Sequence, residues 1–220
     1  MKICTMWFAA AALFLFAAAS ANAQARFELD PFVGYETTAS YPVNLINGPG
    51  GPITSDPIDR LRVNGALNFG TFLDYSLTEN FQPEFMWNHN NTSYSAHDAF
   101  TNSYISAYHS VIDQFQFGGL YLFRSSDARL RPYVAASLGF THDGNGNNTP
   151  DRTEFSYSLG GGVKYALSRH IGLRADARYL PTYGSSSNEL FCNPFYGCYY
   201  ANVSHYLNRG SFTGGLIFKF

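Results

Sequence analysis

The feature that most constrains this chain is a row of charges at every second position. From Ile171 to Leu180 it reads IGLRADARYL, so Arg174, Asp176 and Arg178 alternate with Leu173, Ala175, Ala177 and Tyr179. A period of two belongs to a β-strand, whose successive side chains point to opposite faces. The preceding segment repeats the pattern. Phe155, Tyr157, Leu159, Val163, Tyr165 and Leu167 fall on one face, and Glu154, Ser156, Ser158, Gly160, Gly162 and Lys164 on the other. Similar alternation recurs along the chain and predicts strands over 26–36, 61–75, 80–91, 108–124, 130–142, 153–168, 170–183 and 211–220. In each, one face is apolar and aromatic while the other collects Gly, Asn, Gln, Ser and the charges.

Composition decides which face is wet. Charged residues make up 14% of the chain and aromatics 17%, against roughly a quarter charged in an ordinary soluble domain. The N-terminal residues read as an export signal. Lys2 precedes an apolar stretch from Met6 to Ala19, and Ala21-Asn22-Ala23 gives a cleavage site ahead of Gln24. Residues 1–23 are thus expected to be a signal peptide and 24–220 a single domain. Beyond the signal there is no run of about 18 apolar residues, so no helical span is readable. An exported, aromatic-rich chain of alternating strands fits a closed barrel, in which every backbone polar group finds an inter-strand partner. The expected fold is all-β: an eight-stranded antiparallel up-and-down transmembrane β-barrel, with the even strand number of single-chain bacterial barrels.

The charges then have to face inward. An Arg or Lys on the lipid face costs roughly 2–4 kcal/mol at the bilayer midplane, and an eight-stranded barrel is just wide enough for side chains to fill it. Buried charges require partners. Glu28, Asp30, Glu84, Glu154, Lys164, Arg174, Asp176 and Arg178 are therefore expected to form a paired lumenal network. Even-numbered strand positions are expected to face the enclosed centre, and odd-numbered ones hydrocarbon. Connections near 77–80, 124–129 and 168–170 are short, while 37–60, 92–107, 143–152 and 184–210 are long. That alternation matches short periplasmic turns and long outer loops. Pro31 interrupts the first strand and predicts a bulge or a later strand start, because it removes a ladder donor.

Several motifs carry possible chemistry. Cys192 and Cys198, in ELFCNPFYGCYY, suit a local disulfide in an oxidising compartment. Without nearby His or carboxylate company they make a poor zinc site. Asp143, Asn145, Asn147 and Glu154 take positions of an EF-hand-like loop, but Asn148 stands where that loop needs glycine. A plain polar hairpin loop is preferred, and no metal or cofactor is expected. His109 and Ser110 are adjacent on a strand and so point to opposite faces, which separates any base from its nucleophile. His89 and His97, with Ser93 and Ser95 near them, form no convergent set either. The segment 184–210 carries Tyr196, Tyr199, Tyr200, Asn202 and Tyr206, a composition suited to contact surfaces on a rigid scaffold. A net charge of −2 argues against a nucleic-acid partner.

The segments LGGGVKYALSRHIGLRADARYL and YSLTENFQPEF and the ending GGLIFKF resemble the OmpA-like eight-stranded outer-membrane barrels, often described as porin-family β-barrel domains. The resemblance implies location in the bacterial outer membrane, and Phe220 as the signal read by the barrel-assembly machinery. No peptidoglycan-binding domain is expected after the barrel segment, so cell-wall tethering is not carried over. The function expected is that of a monomeric, non-enzymatic structural protein in contact with outer-membrane lipid. Its loops would serve adhesion or recognition of an extracellular ligand. A narrow porin for small solutes is the alternative, and a lipid A-modifying enzyme the third reading.

Overall fold

The computed structural model describes residues 27–42, 44–48, 51–52, 58–145, 151–183, 188–193, 197–202 and 206–220. The expected signal peptide and its cleavage site lie outside these residues. The elements are β1 (Phe27–Glu36), β2 (Ala39–Pro42), β3 (Asn44–Gly48), β4 (Gly51–Pro52), β5 (Ile58–Val63), β6 (Ala66–Tyr75), β7 (Phe81–Asp98) and β8 (Ser103–Leu122). They continue as β9 (Leu130–Asn145), β10 (Arg152–Ala166), β11 (Ile171–Tyr183), β12 (Asn188–Asn193), β13 (Gly197–Asn202) and β14 (Tyr206–Lys219). Eight of them close on themselves in the antiparallel order β1, β6, β7, β8, β9, β10, β11, β14 and back to β1. At the seam, the backbone N–H of Phe27 donates to Phe220 (3.3 Å) and that of Phe220 to Phe27 (2.9 Å).

The outside of the barrel is apolar. Leu67 is 78% exposed, Val33 69%, Phe117 66% and Leu138 61%. They belong to a belt that runs right round the wall, far larger than the few hundred Å² a water-soluble monomer tolerates. Hydrocarbon is the solvent such a belt requires. Rings gather at its two borders, with Phe69 beside Trp87 and Phe115 beside Phe140 toward the outside. Phe27 beside Tyr75 and Tyr121 beside Phe123 lie toward the short turns. Aromatic girdles of this kind mark the two membrane interfaces.

Even positions face inward on β1, β6, β7, β8, β10 and β11, as expected. On β9 and β14 the parity is reversed: Arg131, Tyr133, Ala135, Ser137 and Thr141 point inward, as do Arg209, Ser211 and Ile217. Strand pairing and the apolar belt fix the facing, and connection lengths set which residue numbers land on it. Pro31 neither bulges β1 nor delays its start. The ladder with β14 skips Asp30 and Pro31, and the register on either side, Leu29 with Phe218 and Phe32 with Gly215, is unchanged. Pro31 points outward and costs one rung.

The outer connections contain more strand than their polarity suggests. β7 and β8 run 18 and 20 residues, about twice the 9–11 needed to cross hydrocarbon. Of the expected loop 92–107, only residues 99–102 lie outside strands. That turn is held by the Asp98 carboxylate, which accepts the N–H groups of Phe100 (2.8 Å) and Thr101 (3.3 Å). Asn102 closes it at φ 49°, a left-handed conformation that Asn tolerates better than most residues. Within 37–60, β2 pairs with β5, and β5 pairs with the upper half of β7. The β12–β13 hairpin of the 184–210 segment joins β3 and β4 in a separate four-stranded sheet.

Candidate functional site

Glycines on β10 make room for the lumenal charges. The β10–β11 register sets Gly160 opposite Arg178, Gly162 opposite Asp176 and Lys164 opposite Arg174. A Cβ on Gly160 would lie 2.7 Å from Arg178 Cγ, and one on Gly162 would lie 2.7 Å from the Tyr133 hydroxyl. Thr213 and Gly215 of β14 flank Asp176 and Arg174 on the other side. Long side chains on β11 can therefore lean into the barrel instead of meeting bulk on neighbouring strands.

Arg174 spans the interior. Its Nη1 donates to Asp30 of β1 and Asp74 of β6, both at 3.0 Å, and its Nη2 donates to Glu84 of β7 at 2.5 Å. Its Nε donates to the Tyr133 hydroxyl of β9 at 2.8 Å. The guanidinium lies 3.7 Å from the centre of the Phe72 ring, a desolvated cation–π contact. Arg178 grips Glu84 (2.7 Å) and Asp176 (2.8 Å), and the Tyr133 hydroxyl donates to Asp176 at 2.5 Å. Lys164 forms a second centre nearer the short turns. Its Nζ donates to Glu28 (2.5 Å), Asp74 (2.6 Å) and Gln82 (2.8 Å). Glu28, Asp30 and Asp74 lie close enough together to ligate a metal, but the Lys164 ammonium is the cation they enclose.

Other layers fill the rest. Leu120, Leu122, Tyr133 and Ala135 pack together toward the short turns, and Phe32, Phe72, Met86 and Leu180 form a second apolar layer. Arg131 donates to the carbonyl of Glu79 at 2.5 Å across the mouth. Toward the outside, Arg209 pairs with Glu36 at 2.6 Å. Asn88 donates to Glu36 and to Gln114. A bilayer-facing wall cannot solvate charge, so each ion is matched by counter-ions and amides within the lumen.

Of the eight expected network residues, Glu28, Asp30, Glu84, Lys164, Arg174, Asp176 and Arg178 come together. Glu154 does not. It is half-buried and opposite Thr141, ten positions before Lys164 on β10, or about 34 Å along the strand. Asp74, Tyr133, Glu36 and Arg209 join the lumen without having been singled out. Asp74 carried the signal, since it shares the inward set of β6 with Asn68 and Gly70.

The remaining motifs resolve as follows. His109 is exposed and Ser110 buried, on opposite faces of β8. Asp143 accepts from Ser110 and from the Tyr94 hydroxyl at 2.7 Å, while residues 146–150 of the candidate calcium loop lie outside the described residues. The β12–β13 register sets Cys192 directly opposite Cys198. At the tip of the outer ribbon, His97 Nδ1 lies 2.6 Å from Asp59 and its Nε2 lies 3.2 Å from Asn102 Oδ1. The hydrogen bond from His97 holds the Asp59 carboxyl below its ordinary range. Asp98 is held low likewise, by the N–H of Phe100 and the hydroxyl of Thr101.

The outer membrane protein β-barrel domain profile matches residues 8–208. Among solved structures, OprG of Pseudomonas aeruginosa is similar at a TM-score of 0.63 and 11% identity, with 90% of this chain and 97% of that one covered. The Neisserial surface protein A, NspA, aligns at a TM-score of 0.54 and 13% identity, covering 88% and 97%. The outer membrane protein AlkL aligns at 0.51 and 14%, covering 92% and 94%. At these identities the likeness establishes the fold alone. No curated protein matches the sequence.

Proposed function

The chain belongs to the outer membrane protein β-barrel domain family and resides in the bacterial outer membrane; from that premise we propose that it is a plugged, non-enzymatic barrel whose outer ribbons act in adhesion or recognition. The observation that carries this reading is the reach of Arg174. From β11 it bonds to groups on β1, β6, β7 and β9, so the lumen is crossed from wall to wall by a fixed ion network. The wall itself continues outward as the long β7–β8 ribbon and the β2–β5 hairpin, with the β3–β4 and β12–β13 sheet beyond. Rigid strands that carry Tyr-rich segments are a favourable scaffold for contact with a partner. Phe220, exposed at the seam, serves as the signal for the barrel-assembly machinery.

Planar-bilayer recordings test the plug. The wild-type barrel should show no steady ohmic current, and an Arg174→Ala/Arg178→Ala variant should leak. A steady wild-type conductance would favour the narrow porin instead. Adherence of cells that display the barrel with residues 188–202 excised should fall below that of cells displaying the intact chain; equal adherence would remove the recognition role. Lipid A incubated with the protein should be recovered chemically unchanged.

A further inference from the structure

A cavity of about 770 Å³ opens on the outer half of the β6–β7–β8 wall, lined by Leu67, Phe69, Asn91, Ser93, His109 and Val111. It forms where one ladder hands over to another. β6 pairs with β7 up to Asn68 opposite Asn90, and β5 takes over at Val63 opposite Tyr94. Between them Asn64 holds the wall, its N–H donating to the Ser93 carbonyl (2.9 Å) and its carbonyl accepting from the Thr92 hydroxyl (2.6 Å).

The height of this cavity follows from the register. Phe81 to Asn91 is ten positions on β7, about 34 Å of strand, or about 26 Å of depth at a tilt of ~40°. The rung of Leu67, Asn91 and Val111 therefore sits at the outer border of the hydrocarbon. One rung higher are Ser93 and His109, which pair directly. Above these, Arg62 stands opposite Ser95 and Arg60 opposite His97. Above the outward His89–Asp113 pair, which lies one rung below Asn91 and Val111, the wall thus passes from largely apolar to polar to cationic.

Of these cations Arg62 is the freer. No ion pair within 4 Å joins Arg60 or Arg62 to a carboxylate of the described residues, although the Arg60 charge helps to lower the neighbouring Asp59 carboxyl, and Arg62 Nε is buried without a hydrogen-bond partner. The Arg62 guanidinium rests 5.0 Å from the Tyr104 ring centre. Nearby acids are already engaged: Asp59 with His97, Asp98 with its turn, and Asp113 with Trp87 (3.1 Å) and His89 (2.9 Å).

We infer that this wall binds the phosphorylated glycolipid of the outer leaflet, with an acyl chain over Leu67, Phe69 and Val111 and a phosphate at Arg62. The volume is within the range of small-molecule sites, and a guanidinium suits phosphate geometry. Arg62, with no carboxylate partner among the described residues, marks the phosphate as the part recognised.

Native mass spectrometry of the barrel released from detergent micelles tests this, with lipid A, chemically dephosphorylated lipid A and inorganic phosphate as probes. Wild-type barrel should retain one lipid A, and should retain the dephosphorylated form at least about tenfold less well, the scale of one lost charged hydrogen bond. An Arg60→Ala/Arg62→Ala variant, its folding checked by heat-modifiable gel mobility, should hold lipid A no better than wild type holds the dephosphorylated lipid. Equal retention of both lipids by wild type overturns the inference, whatever the variant does. Undiminished retention by the variant overturns it too, as does displacement of the lipid by equimolar inorganic phosphate.

Discussion

Replacing Arg174 with methionine should destabilise the barrel far more than neutralising any one acid around it. Five carboxylates converge on the central network, those of Glu28, Asp30, Asp74, Glu84 and Asp176. Three buried cations meet them, Lys164, Arg174 and Arg178, with Lys219 reaching Glu28 from the rim at 3.3 Å. Acids outnumber bases, so loss of a base deepens the imbalance and loss of an acid relieves it. Arg174→Met strips Asp30, Asp74 and Glu84 of a shared donor. Leaving buried charge uncompensated costs about 3–5 kcal/mol. In Asp74→Asn the amide oxygen still accepts from Lys164 and Arg174, so the expected loss is about 1 kcal/mol, because each hydrogen bond keeps its cationic donor and loses only the charge of its acceptor. Urea unfolding in lipid vesicles, followed by heat-modifiable gel mobility, should separate the two variants by at least about 2 kcal/mol. Arg174→Met combined with Glu84→Gln should recover part of the loss, as expected for groups in one network. If Arg174→Met stays within about 1 kcal/mol of wild type, or if Asp74→Asn costs as much, the network does not hold the barrel in the way argued.

Three further outcomes follow from local geometry. Gly162→Val should cost about 1–3 kcal/mol in the same unfolding assay, because a Cβ there would lie 2.1 Å from the Ala175 backbone carbonyl oxygen and 2.7 Å from the Tyr133 hydroxyl. Cys192 and Cys198 should form a disulfide, seen as a reductant-sensitive mobility difference that Cys192→Ser abolishes without changing barrel stability. The folded Asp98 carboxyl binds its proton less readily than the unfolded one, so its hold on the β7–β8 turn is complete above the ordinary aspartate pKa of 3.8 and fades as pH falls below it. Hydrogen exchange at the Phe100 amide should accelerate in acid on that schedule, and Asp98→Asn should abolish the pH step.

The barrel could be read from the chain because hydrocarbon punishes exceptions. Within the membrane alternation holds on most rungs, with His89 and Asp113 paired to each other as outward exceptions near its outer edge, and Arg174, Asp176 and Arg178 have one face open to them. Above the membrane that discipline ends. The segment from Thr92 to Asp98 has only Tyr94 and Ala96 on its inward face to suggest a strand and so reads as loop, yet β7 and β8 pair through it, since backbone bonding needs little apolar support. Arg209 was lost for the same reason, since the outer part of β14 lies in a stretch that reads as loop. Asp74 was visible as an inward residue of β6, but nothing in sequence ranks one lumenal carboxylate above another. That ranking needs the reach of Arg174 and Lys164 across the barrel, a property of shear and register. Tyr133 stayed hidden because an aromatic looks lipid-facing until the parity of β9 is known.

The inside-out arrangement of the wall is tested most directly by relaxation enhancement from lipids spin-labelled on the acyl chain, with the barrel reconstituted in those lipids and observed by NMR. Methyl groups of Leu138, Leu159 and Leu216 should broaden strongly, while the side-chain Nε–H signals of Arg174 and Arg178 keep their intensity. Arginine signals quenched alongside the leucine methyls would place the charges against the acyl chains and contradict the account.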